Sequence, residues 1–160
     1  MVKIEELKFI IKRIDDNSSS VNLKGSVFLA ANTFLIGSYT ILLKGSTEIH
    51  TDQQIFSGLS LMFSVISIVF VLLALLPYLY TGNNKTYRSK IYFGSIYNTE
   101  LEVFKKEFQE MNDQDFIDDL LNQSHVLSSI YHTKFVFIRN AGISLFISIL
   151  LSFLYHLTKY

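Results

Sequence analysis

The stretch Ile55 to Tyr80, "IFSGLSLMFSVISIVFVLLALLPYLY", carries no charged side chain from one end to the other. A bilayer's hydrocarbon core takes about 20 residues of helix to cross, so this run predicts a membrane span and decides the fold class. Two further runs follow from it. Asn140 to Leu157, "NAGISLFISILLSFLYHL", is apolar apart from small hydroxyls and His156. Val27 to Leu43, "VFLAANTFLIGSYTILL", is interrupted by Asn32, Thr33, Ser38 and Thr40 and sits at the lower limit of length. It reads as a span and not as a cleaved signal, because its lead contains Glu5, Glu6, Asp15 and Asp16 and no small-residue cleavage motif follows Leu43.

Composition agrees. The chain is 49% hydrophobic yet 18% charged, which fits a small membrane protein with a polar domain. Net charge is zero, so no global argument favours nucleic acid, and cysteine is absent, which removes disulfides, thiol nucleophiles and thiolate metal sites. Lys and Arg concentrate before the first span and between the second and third, while the first loop has only Lys44 and the C-terminus only Lys159. The positive-inside rule then puts the N-terminus and the long middle segment inside, and the short loop and the C-terminus outside. The expected organisation is a cytoplasmic amphipathic helix over 1–20, two spans with a short external loop over 21–80, a cytoplasmic helical sensor region over 81–138, and the third span over 139–160.

The polar segments carry helical signals. Ile4, Leu7, Ile11 and Ile14 form one apolar stripe on a short helix that Asn17-Ser18-Ser19-Ser20 is expected to break. A capping box of Thr99 with Glu102 precedes Leu101, Phe104, Phe108 and Met111 on one face. A second cap at Asn112 or Asp113 opens a pattern that runs without proline into the third span, so one helix of about 65 Å is expected from near Asp115 to near Thr158. The fold class is thus an all-α membrane protein of three transmembrane helices, with a cytoplasmic helical hairpin between the second and third and a continuous last helix.

No nucleophile elbow, zinc-protease motif or phosphate-cradling glycine loop is present, and an enzyme is not expected. His125 and His132 lack further ligands, and no metal site is expected; the acidic run Asp113, Asp115, Asp118, Asp119 reads as a stabilised helix start. Asn32 within an apolar run should face another helix or a pore, and Pro77 should end or kink the second span. Arg88, Lys90, Lys134 and Arg139 flank the inner ends of the second and third spans and suit either of two anions, lipid phosphate or a nucleotide. Tyr92, Phe93 and Tyr131 offer faces for a base.

The order of "NLKGSVFLAANTFLIGS", "ALLPYLY", "IYFGSIYNTELEVF" and "LSSIYHTKFVFIRNAGISL" resembles the transmembrane effectors of Pycsar bacterial anti-phage systems, from about Val21 onward. The matching elements are Leu75-Leu76-Pro77, Phe93-Gly94, and Lys134 with Arg139 and Ala141; Phe135 and Tyr78 stand where the family commonly has tyrosine and arginine. The resemblance implies a homo-oligomeric effector in the lipid bilayer that binds a cyclic mononucleotide such as cUMP or cCMP, made by a partner nucleotide cyclase, and then disrupts the membrane and causes abortive infection. It implies no other cofactor, and its ligand set would draw on Arg88, Lys90, Phe93, Gly94, Lys134 and Arg139. A constitutive small channel, or a membrane scaffold whose hairpin binds a protein, is the alternative.

Overall fold

The computed structural model describes residues 2–45, 51–76 and 89–158. Among these the only regular structure is helical: α1 (Val2–Gly45), α2 (Thr51–Leu75), α3 (Phe93–Tyr97), α4 (Leu101–Gln109) and α5 (Asp113–Thr158). They form two compact units. One comprises 1–18 with 77–132, and the other 19–76 with 133–160. Pro77, Tyr78 and Arg88 lie outside the described residues, as does the side chain of Phe93.

The expected break at Asn17–Ser20 is absent, since α1 is one helix of 44 residues. Asn and Ser cost at most about 0.7 kcal/mol each against alanine in a helix, whereas a glycine or proline would cost more. Burial of Val21 and a close approach at Gly25 follow directly, and packing there favours a helix that continues through the four residues. A Cβ on Gly25 would lie 3.3 Å from both Leu75 Cδ2 and Val71 Cγ1, so glycine here lets α1 and α2 pack backbone to side chain. The long last helix is present as expected, and its start is capped by Asn112, whose Oδ1 accepts from Asp115 N at 2.8 Å. The capping box is not. Helix α4 begins after Glu100, one residue beyond Thr99, without a side-chain cap, and Thr99 Oγ1 donates back to Ser95 O at 2.6 Å.

Among the described residues two helices are long and apolar enough to cross a membrane, over Gln53–Leu75 and within Asp113–Leu157. Helix α2 is reversed relative to a soluble helix. Its buried stripe is Gln53, Ser57, Ser60, Ser64 and Ser67, continued by Val71 and Ala74, while Ile55, Leu59, Met62, Val65, Val69 and Leu72 are exposed. A helix in water would bury the second set, whereas one in hydrocarbon gains by turning it outward and pairing its hydroxyls within. Helix α5 shows the same outward apolar set, with Phe146 at 62% and Phe153 at 60% exposure.

The serines of α2 meet α5 in a compact network. Ser60 Oγ donates to Ser148 O at 2.9 Å and Ser148 Oγ to Ser60 O at 2.9 Å, while Ser64 Oγ and Ser148 Oγ lie 2.8 Å apart. With Ser64 donating, every hydroxyl hydrogen is used once. Higher up, Ser67 Oγ donates to Ala141 O at 2.9 Å and accepts from Asn32 Nδ2 at 2.9 Å, linking all three helices. The remaining interruptions of α1 satisfy themselves: Thr33, Ser38 and Thr40 each donate to the carbonyl four residues earlier, at 2.8 to 2.9 Å. At one end Tyr39 and Tyr155 meet edge to face, with centroids 5.8 Å apart.

Ser148→Ala removes one member shared by Ser60 and Ser64. We expect it to destabilise the protein in detergent by about 1–2 kcal/mol, read by denaturant titration of helicity, while Ser152→Ala on the same helix has a smaller effect.

Candidate functional site

The unit formed by 1–18 and 77–132 is organised around a short irregular segment, Ser89 to Tyr92, laid against α5. Such a segment has backbone donors that no helix satisfies, so side chains must do it. Ser89 Oγ accepts from Tyr92 N at 3.0 Å, from Ile91 N at 3.3 Å, and from Gln123 Nε2 at 2.9 Å. Asp119 Oδ2 accepts from Lys90 N at 2.8 Å, and Asp119 is only 2% exposed. The carboxylate that the sequence assigned to a helix start therefore holds the segment in place. Its position beside Leu120, on the face that also carries Phe116 and Gln123, was the signal available in the sequence.

The segment runs directly into α3. A Cβ on Gly94 would fall 2.6 Å from Tyr92 Cε1, so the Tyr92 ring rests over this glycine. This close approach accounts for the isolated Phe93-Gly94 pair. Asn98 Nδ2 then donates to Gly94 O at 2.8 Å and closes the short helix.

Between α1 and α5 of this same unit lies a groove of about 350 Å³, lined by Lys8, Ile11, Lys12 and Asp15 on α1, Ile91 on the segment, and Leu120 and Gln123 on α5. Of the apolar stripe expected along the N-terminal helix, Ile11 lines the groove; Leu7 is buried, and Ile4, Ile11 and Ile14 are half-buried. A smaller hollow of about 210 Å³ lies on α4 alone, among Phe104, Lys105, Phe108 and Gln109. Among the described residues no three His, Cys, Asp or Glu side chains gather as a metal site.

The residues singled out from the sequence are distributed as follows. Lys90 and Gly94 belong to the segment and α3, and Lys90 acts there through its backbone N–H. Lys134, half-buried, and Arg139, exposed, belong to the other unit. Five residues apart on α5, they point about 140° away from each other around the helix axis. Asn32 faces α2 through its bond to Ser67, and its Oδ1 has no hydrogen-bond partner among the described residues. The groove was missed in the sequence because its lining comes from three stretches far apart in the chain.

The family model described as PycTM, Pycsar effector protein domain, matches residues 6–159. The chain is similar to Pycsar effector protein GmPycTM of Gulbenkiania mobilis, with 26% identity over an alignment 159 positions long, which covers 88% of this chain and 81% of the relative. No solved structure matches the chain.

Asp119→Ala should release Lys90 N–H at a cost of about 1–3 kcal/mol, read as faster amide exchange over 89–92 and new tryptic cleavage after Lys90. Asp119→Asn keeps an acceptor and should retain most of the protection.

Proposed function

Because this chain belongs to the Pycsar effector protein domain family, we propose that it is an anti-phage effector of the bacterial inner membrane, switched on by a cyclic mononucleotide of the cUMP or cCMP type. The observation that carries this reading is the extent of the family match, residues 6–159, which takes in the polar unit and the apolar helices together. The reversed polarity of α2 supports a membrane setting, since exposed Ile55, Leu59, Met62 and Val65 need hydrocarbon around them.

In this reading the chain crosses the bilayer three times with its N-terminus inside, the first crossing being the 27–43 part of α1. The back-bonded hydroxyls of Thr33, Ser38 and Thr40 lower the cost of that crossing. A partner cyclase makes the nucleotide during infection. Binding shifts the equilibrium between a closed and an open arrangement of the helices by as much as the ligand's affinity for the two differs. The chemistry is binding and rearrangement, with no bond made or broken. Three helices are too few to enclose a wide aqueous path, so the damaging form is a homo-oligomer. Exposed apolar positions on α5 such as Ile143, Phe146, Leu150 and Phe153 are available for helix contacts between copies.

The test is dye release from vesicles of neutral lipid containing the purified protein. Release on adding cUMP or cCMP, absent with the linear nucleotide and absent without protein, is the expected result. Release that is constant and indifferent to nucleotide would make the protein a constitutive channel. No release under any condition, with crosslinking that yields monomer alone, would remove the effector reading.

A further inference from the structure

We infer that the groove between the N-terminal part of α1 and α5 is the binding site for the activating ligand, and that it takes a single phosphodiester anion through Lys8 and Lys12. The inference rests on the reading above that a cyclic mononucleotide is the signal. Lys8 and Lys12 stand four residues apart, hence on one face of α1 with Cβ atoms about 5–6 Å apart, close enough for both ammonium groups to reach one phosphate. Lys8 pairs with exposed Glu5 at 3.2 Å, a surface contact of the weak kind that an incoming anion replaces. With Asp15, the lining carries one net positive charge, which matches the one negative charge of a cyclic phosphodiester better than the two of a linear monophosphate.

The remainder of the lining suits a base and sugar. Ile11, Ile91 and Leu120 form the apolar surface, Asp15 accepts from a hydroxyl or an amine, and the Gln123 carbonyl oxygen accepts from a ring N–H. At about 350 Å³ the groove is at the small end of the roughly 300–1,000 Å³ usual for such sites, so it fits one small mononucleotide. Its wall is fixed in advance: Gln123 is tied to Ser89, and Asp119 holds the backbone N–H of Lys90. Preorganisation of this kind reduces the ordering cost of binding. Both lining helices, α1 and α5, also continue into the apolar unit, so a ligand that draws Lys12 toward Gln123 acts on two membrane helices at once.

Titration calorimetry of the full-length protein in neutral-lipid nanodiscs with cUMP, cCMP and inorganic phosphate tests the assignment, repeated in discs containing anionic lipid. Lys12→Gln and Lys8→Gln should each weaken binding of whichever cyclic nucleotide the parent binds by about tenfold, and Ile91→Trp, which fills the groove, should abolish it. Lys105→Gln on α4 should bind as the parent does, and thermal melting by circular dichroism should show the lysine variants folded. Parent-like nucleotide binding by both lysine variants overturns the groove and leaves the cyclic-nucleotide reading standing. A parent protein that binds neither cyclic nucleotide overturns both. Should the lysine variants lose only association with anionic lipid, the phosphate belongs to a headgroup and the assignment to a soluble nucleotide fails.

Discussion

Hydrogen bonding by small hydroxyls between α2 and α5 is the constraint on which the apolar unit depends. In hydrocarbon there is no gain from hiding apolar surface, so helices associate through close packing and through polar groups that cannot be satisfied by solvent. Ser60, Ser64 and Ser148 meet both needs, being small enough for close approach and able to bond one another and the facing carbonyls. Asn32 extends the arrangement to α1 through Ser67, and Gly25 and Gly142 allow the contacts, the latter with its Cβ position 3.2 Å from the Phe28 ring.

The polar unit rests on a different economy. Its hydrogen bonds serve an irregular segment whose backbone would otherwise go unsatisfied, and they converge on Ser89 and Asp119. Both kinds of bond use the same helix: α5 presents Asp119 and Gln123 to the segment, and Ala141 O and Ser148 to the serines of α2. One uninterrupted helix of 46 residues thus takes part in both arrangements.

Much of this could be read from residue order. The last helix was legible because its pattern contains no proline and an asparagine stands at its start, and α2 because nothing charged interrupts it. The break at Asn17–Ser20 was misread because weak local preferences yielded to the packing of Val21 and Gly25, which lies beyond any short window. Thr99 was misread for a related reason: the N-cap position falls one residue later, on Glu100, and the Thr99 hydroxyl turns back to Ser95 O. The serine spacing at 57, 60, 64 and 67 was visible, but that Ser148 is its partner depends on how two distant helices align. The groove was illegible for the same cause, its charges lying on α1 and its amide on α5.

Asn32 also bears on how the chain is made. Its amide donates to Phe28 O in its own helix and to Ser67 Oγ in the next. In the three-span reading proposed above, α1 on its own would offer Asn32 only the bond within the helix, and a polar amide alone at mid-membrane is costly. The second helix supplies the other acceptor as soon as it arrives. Under that reading, entry of α1 and α2 into the bilayer as a pair would be favoured over entry of α1 alone.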